Sequence, residues 1–66
     1  MFDIDTIISF KYRNRSVRGV IKFVDDKSVG MILLRDYIGK NVTWESGEFK
    51  LFNKKLIRSK KKRYDN

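Results

Sequence analysis

The first third of the chain alternates apolar and polar side chains with a period of two. Across residues 3–13, every second position belongs to one mainly apolar set, which consists of Ile4, Thr6, Ile8, Phe10 and Tyr12. The alternation resumes after a short break with Val17, Gly19, Ile21 and Phe23. A period of two is typical of a half-buried β-strand. The pattern therefore predicts two antiparallel strands that share one apolar face.

A turn at Asn14-Arg15 is expected to connect these strands, because Asn tolerates a positive φ. A two-residue loop at this place pairs Phe10 with Gly19 and, on the opposite face, Lys11 with Arg18. Like charges directly opposite each other in a sheet are unfavourable. We therefore expect an anion to bridge the two side chains, the alternative being two solvated side chains that splay apart.

A third strand is predicted at residues 29–34, after a turn at residues 25–28. This strand has apolar residues on both of its faces, which is typical of a buried or sharply bent strand in a small barrel. The alternative is an exposed apolar stripe that binds a partner or a second copy of the chain. That stripe would consist of Val20, Val24, Val29 and Leu33.

The second half predicts another hairpin around Ser46-Gly47, with Trp44 paired to Phe49 on the core face. A turn at residues 53–55 and a short last strand at residues 56–58 follow. The prediction is therefore an all-β domain at residues 1–58, a small barrel of five to six antiparallel strands. Residues 59–66 are expected to form a disordered basic tail, because they carry four consecutive basic residues and no apolar periodicity.

The composition excludes several chemistries. The chain has no cysteine and no histidine, so disulfides, Zn–S sites and nucleophile–histidine catalysis are ruled out. Its carboxylate pairs lie at the terminus or in turns, where we expect them to set turn geometry; they are Asp3/Asp5, Asp25/Asp26 and Glu45/Glu48. We therefore predict a protein that is not an enzyme and that has no cofactor and no metal.

The apolar runs of the chain are short. The longest, residues 30–34, cannot span a membrane, and the acidic N-terminus lacks the apolar core of a signal peptide. We expect a cytoplasmic or nucleoid-associated protein without a membrane partner, present as a monomer or weak homodimer.

The charge is strongly basic and clustered, with a net charge of +8 and a pI of about 10.1. Such a chain is expected to bind DNA or RNA through phosphate contacts with little sequence preference. The candidate binding residues lie in the first hairpin and the tail; they are Lys11, Arg13, Arg15, Arg18, Lys22, Lys60, Lys61, Lys62 and Arg63. The alternative is a small adaptor or inhibitor on an acidic protein surface, anchored by Val20, Val24, Met31 and Leu33.

Two segments carry a resemblance to SH3-like barrels of the KOW and Tudor-like kind. One is the turn element at residues 51–57, and the other is the strand pair that starts at Gly19-Val20 and continues through residues 30–34. The resemblance spans residues 5–58 and implies a platform for nucleic acid or for the transcription and translation machinery. A Tudor-type aromatic cage would require Tyr12, Tyr37 and Trp44 to converge. In size, charge and Lys/Asn/Ile content the chain also resembles small basic chromatin and phage accessory proteins.

Overall fold

The computed structural model describes residues 2–57, which form six β-strands and one helical turn. The strands are β1 (Ile7–Tyr12), β2 (Arg15–Val24), β3 (Ser28–Leu33), β4 (Tyr37–Ile38), β5 (Thr43–Trp44) and β6 (Phe49–Asn53), and residues 54–57 form the helical turn. Four strands build an antiparallel sheet in the order β1-β2-β3-β6, and β4 pairs with β5 in a second sheet. The predicted all-β class is confirmed.

The large sheet does not close into the predicted barrel. β1 and β6 are its two edges, and no strand within residues 2–57 joins them. The predicted basic tail at residues 59–66 lies outside the described residues. In residues 2–57, no helix has the length and the apolar character needed to cross a membrane.

The core lies on one face of the large sheet, which we call the inner face. Side chains alternate along a strand, so every second residue of β1, β2, β3 and β6 points to this face. These inward side chains form the core together with one tyrosine of β4. The buried side chains are Phe10, Val17, Ile21, Val29, Met31, Leu33, Tyr37 and Phe52. Burial of a large apolar side chain stabilises a fold by about 1.5–3 kcal/mol, so this cluster supplies most of the driving force for folding.

The register of the first hairpin differs from the predicted one by two residues. Phe10 pairs with Val17, and Arg18 lies opposite Ser9, because the connecting loop is Arg13-Asn14. The predicted Lys11/Arg18 pair is therefore wrong. A shift of two residues preserves the face of every side chain, so the apolar face of β1 is still the core face.

A β-bulge interrupts the pairing of β2 with β3 between Ile21 and Phe23. The bulge inserts one extra residue and so reverses the side-chain alternation beyond it. Phe23 was expected on the core face but is 44% exposed on the opposite side of the sheet. Val24 packs against the core in its place.

The second predicted hairpin is also wrong in its pairing. Trp44 pairs with Tyr37 of β4, and Phe49 pairs with Ile32 of β3, so β6 completes the large sheet. Phe49 consequently is 49% exposed and does not lie in the core. The Ser46-Gly47 turn itself is present, with a φ of 95° at Gly47. The last strand was predicted at residues 56–58, but residues 56 and 57 belong to the helical turn at residues 54–57. Arg58, the third residue of the predicted strand, lies outside the described residues.

Candidate functional site

The tip of the first hairpin is a tight two-residue turn with an unusual backbone. Arg13 has a φ of 51° and Asn14 a φ of 68°. Positive φ at both central residues is required by the type I′ turn, whose twist matches that of the flanking strands. The turn thereby presents Arg13, Asn14 and the following Arg15 together at one end of the molecule.

The β4–β5 loop lies beside this turn. The buried Tyr37 of β4 donates a hydrogen bond from its hydroxyl to the backbone oxygen of Tyr12 at 3.0 Å, which ties β4 to the end of β1. Trp44 of β5 stacks on Tyr37 with 4.7 Å between ring centroids. Gly39 donates its backbone N–H to the oxygen of Val42 at 2.8 Å and closes the loop. The aromatic contacts therefore fix the position of Lys40 and Asn41 in this loop.

A cleft of about 630 Å³ separates the hairpin turn from the β4–β5 loop. Among residues 2–57, its lining comprises three cationic side chains, two side-chain amides and two apolar residues, and none of them is a carboxylate. The lining residues are Arg13, Asn14, Arg15, Tyr37, Lys40, Asn41 and Val42. Guanidinium, ammonium and amide groups are hydrogen-bond donors that suit phosphate and carboxylate oxygens. We call this site the basic cleft.

Within the part of the chain that the structure describes, no acidic side chain forms an ion pair with the three cations of the basic cleft. Among residues 2–57, the ion pairs within 4.0 Å are Lys22–Asp5 and Lys50–Glu48, and neither involves Arg13, Arg15 or Lys40. Arg13 lies 5.4 Å from the centroid of the Tyr12 ring, a cation–π contact that leaves its charge in place. A concave site with one sign of charge attracts counter-ions by focusing the field.

The remaining predicted binding residues are distributed over the molecule. Lys11 and Arg18 lie on the outer face of the large sheet, which is the face opposite the core, and Arg18 donates to the Ser9 hydroxyl at 3.1 Å. Lys22 forms an ion pair with Asp5 at 2.7 Å and is thereby engaged in holding the N-terminal segment. Lys60, Lys61, Lys62 and Arg63 lie outside the described residues. The structure thus brings Arg13 and Arg15 together and separates Lys22 from them.

Lys40, Asn14 and Asn41 line the basic cleft but were not predicted from the sequence as binding residues. Lys40 is 27 positions after Arg13 in the chain, and it lies at the hairpin tip because the Tyr37 hydrogen bond to Tyr12 attaches the β4–β5 loop to the end of β1. The signal that was present is the Gly39-Lys40-Asn41 sequence between two aromatic residues, which is typical of a short hairpin loop. Nothing in the local sequence indicated that this loop faces the first hairpin.

The aromatic residues considered for a cage do converge, but they pack against one another. The rings of Tyr12, Tyr37 and Trp44 lie 4.7–5.8 Å apart by their centroids, and Tyr37 is buried. Lys50 places its ammonium group 4.9 Å from the centroid of Trp44. This cluster therefore forms part of the core and leaves no opening between the rings for a ligand cation.

The apolar stripe proposed as an adaptor anchor is not a surface. Met31 and Leu33 are 0% and 1% exposed and belong to the core, as does Val29. Val20 lies on the outer face instead, opposite Ile7 and Ile32. A protein partner would therefore have to use a different set of residues from the predicted one.

Two carboxyl groups have a lowered pKa, and both stabilise turns. Hydrogen bonds from the backbone N–H groups of Ser28 and Lys27 lower the pKa of Asp25. The backbone N–H of Glu45 similarly lowers the pKa of Glu48. Neither group lines the basic cleft. Residues 2–57 contain no cluster of three or more acidic, cysteine or histidine side chains that could hold a metal ion.

The fold and the site together define a small all-β protein that has an open antiparallel sheet and a basic cleft at the tip of its first hairpin. Comparison with protein-family models, with curated proteins and with solved structures finds no match for this chain.

Proposed function

We propose that this chain is a non-catalytic nucleic-acid-binding protein whose phosphate contacts centre on the basic cleft. The observation that supports the proposal is the convergence of Arg13, Arg15 and Lys40 on a cleft to which no described residue contributes a carboxylate. Three neighbouring cations repel one another unless an anion lies between them, and a phosphate backbone supplies such anions at regular intervals.

The shape of the site favours contacts with little sequence preference. Arg13, Asn14 and Arg15 lie at the tip of a two-stranded ribbon, and the loop with Lys40 and Asn41 faces them. These donors suit phosphate oxygens, whereas base recognition requires several side chains in fixed contact with base edges. Lys11 and Arg18 extend the positive charge from the cleft along the outer face. A cytoplasmic or nucleoid location belongs to the same proposal, because nucleic acid is abundant there.

The test is fluorescence anisotropy with labelled duplex DNA, single-stranded DNA and RNA, each across a series of salt concentrations. The variant Arg13→Gln/Arg15→Gln/Lys40→Gln removes the three charges of the cleft. Its matched control, Lys27→Gln/Lys54→Gln/Lys55→Gln, removes three charges at the opposite end of the large sheet, where the backbone N–H of Lys54 donates to the backbone oxygen of Lys27. Both variants have the same net charge, so only the position of the lost charge differs.

The cleft variant should bind duplex DNA at least tenfold more weakly than the control variant. The plot of log affinity against log salt should become shallower by about 2.7, because each lost phosphate contact accounts for about 0.9 of the slope. Equal losses in the two variants would show that binding depends on net charge alone and would refute the cleft as the site. A wild-type protein that binds none of the three nucleic acids would refute the function itself.

A further inference from the structure

The outer face of the large sheet carries a row of apolar side chains that crosses all four strands. The row follows the pairing from strand to strand and consists of Ile7, Val20, Ile32 and Phe49. The next row holds Phe23, Gly30 and Leu51. Four of these side chains are between 44% and 58% exposed; they are Phe23, Ile7, Phe49 and Leu51. Contiguous exposed apolar patches on small proteins mark interaction sites.

Two of these exposed residues, Phe23 and Phe49, are aromatic, and both lie against the backbone of Gly30. Gly30 lies between the strands that carry Phe23 and Phe49, and the Phe49 ring covers it: a β-carbon on Gly30 would lie 2.9 Å from Cε1 of Phe49. The same β-carbon would lie 3.1 Å from Cβ of Phe23. The absence of a side chain at Gly30 therefore lets the Phe49 ring settle onto the sheet beside Phe23.

The outer face carries positive charge beside its apolar rows, which favours an anionic ligand. The strand positions next to the apolar row are Arg18 and Ser9, and Lys11 and Ser16 follow them toward the basic cleft. None of the outward positions of β1, β2, β3 and β6 is an acidic residue, and Asp5 at the margin is paired with Lys22. Two side-chain positions along a strand span about 7 Å. The aromatic side chains thus lie within a few residues of cations on the same open surface.

We propose that the outer face binds single-stranded nucleic acid, with bases stacked on Phe49 and Phe23 and phosphates on Arg18 and Lys11. This inference rests on the proposed function and names its substrate class. Aromatic side chains beside a basic groove are the usual means of holding unpaired bases. Paired bases in a duplex have no free face to offer. A second copy of the chain is disfavoured as the occupant, because it would bring two basic surfaces together.

The experiment compares two double variants in the same anisotropy assay, with single-stranded and duplex DNA of equal length. Phe23→Leu/Phe49→Leu removes the aromatic rings but keeps apolar side chains, whereas Ile7→Ser/Leu51→Ser removes apolar surface and keeps the rings. All four residues are substantially exposed, so both variants should fold, which circular dichroism melting will verify. The cleft variant Arg13→Gln/Arg15→Gln/Lys40→Gln is measured in parallel.

The phenylalanine variant should bind single-stranded DNA at least tenfold more weakly and duplex DNA within twofold of wild type. The salt dependence of its single-strand binding should be displaced without a change of slope, because stacking involves no counter-ion release. The serine variant should lose less than threefold on single strands.

Several outcomes would overturn the inference. If the phenylalanine variant binds single strands as well as wild type while the cleft variant does not, stacking is refuted and the proposed function stands. Equal losses in the phenylalanine and serine variants would assign the face to general apolar contact, as with a protein partner. A dimer in sedimentation equilibrium that the serine variant dissociates would assign it to a second copy. Failure of the wild-type chain to bind any nucleic acid would refute the proposed function and the inference together.

Discussion

Arg13 occupies a backbone conformation that its side chain disfavours, and the replacement Arg13→Asn should therefore stabilise the protein. A left-handed conformation costs an ordinary L-residue about 1–2 kcal/mol, whereas Asn adopts it readily. The φ of 51° at Arg13 is imposed by the two-residue turn, since the neighbouring Asn14 also has a positive φ. The strands that pair on both sides of the turn hold this strained conformation in place.

The expected gain is the released strain less the contacts that Arg13 makes. The cation–π contact with Tyr12, at 5.4 Å, is worth about 0.5–1 kcal/mol at an exposed site. The net stabilisation of Arg13→Asn should therefore be about 0.5 kcal/mol. Arg13→Gln is the matched control, because it removes the same charge and the same contact but has no preference for positive φ. The Asn variant should exceed the Gln variant by about 1 kcal/mol, which corresponds to roughly 4–8 °C in melting temperature.

The assay is urea denaturation followed by the fluorescence of Trp44, the single tryptophan, whose ring stacks on Tyr37 in the folded state. Salt and pH are held constant, so that the loss of one positive charge affects both variants equally. If the Gln variant is as stable as the Asn variant, the turn stores no strain at Arg13 and the reasoning is wrong. In the anisotropy assay both variants should bind duplex DNA equally weakly, because each lacks the guanidinium group of the cleft.

Two further turns offer predictions of the same kind. Gly47 has a φ of 95°, and apart from its chain neighbours no atom of residues 2–57 would lie within 4 Å of an added β-carbon. Gly47→Ala should therefore cost about 1–2 kcal/mol from backbone strain alone. A cost below about 0.5 kcal/mol in urea denaturation would show that the turn relaxes. The backbone N–H groups of Ser28 and Lys27 lower the pKa of Asp25 below its ordinary value of 3.8 in the folded state. The stabilisation from these hydrogen bonds is therefore fully present above pH 3.8 and is lost as the pH falls through the lowered folded-state pKa. Asp25→Ala should therefore be less stable than wild type at pH 7, and urea midpoints of the two should converge toward pH 2; a constant difference would contradict this.

The local pattern of the chain was sufficient to predict five of its six strands and much of its core, whereas β4 lies in a segment where the pattern indicated a loop. The alternation around Phe10, Val17 and Ile21 correctly assigned these residues to one apolar face. It did not determine the register, because a shift of two residues leaves every side chain on the same face. The predicted turn at Asn14-Arg15 and the observed turn at Arg13-Asn14 differ in whether Arg13 has a positive φ. Arg generally disfavours a positive φ, so the sequence argued against the observed turn.

Non-local pairing explains the other differences. Ser46-Gly47 has the sequence of a hairpin turn, so the sequence indicated that Trp44 and Phe49 pair with each other. In the structure β6 instead pairs with β3, which has Met31 on the inner face and Ile32 on the outer face and would otherwise be an edge strand with apolar residues on both sides. Such long-range pairing cannot be derived from short-range patterns. The position of Lys40 in the basic cleft depends on another long-range contact, the hydrogen bond from the Tyr37 hydroxyl to the backbone oxygen of Tyr12.

The bulge in β2 determines which residues form the outer face, and its removal provides a direct test. Lys22 is the extra residue, because Ile21 pairs with Met31 and Phe23 pairs with Gly30. The ladder between β1 and β2 ends at Val20, so Lys22 lies beyond it. Deletion of Lys22 would therefore connect two correctly oriented segments into one regular strand.

We expect the chain without Lys22 to fold, with Ile21 still in the core and Phe23 still exposed. The loss should be about 1 kcal/mol or less, since the Lys22–Asp5 ion pair is exposed and such pairs contribute about 0.2–1 kcal/mol. Deletion of Arg18 is the control: it pairs with Ser9 of β1 and its backbone oxygen accepts a hydrogen bond from Leu34, and the resulting slip would turn either Val17 or Ile21 out of the core. Cooperative thermal unfolding should survive the first deletion and disappear in the second. If both deletions abolish cooperative unfolding, the bulge itself is required for the sheet, and a regular strand with the same inward and outward residues cannot replace it.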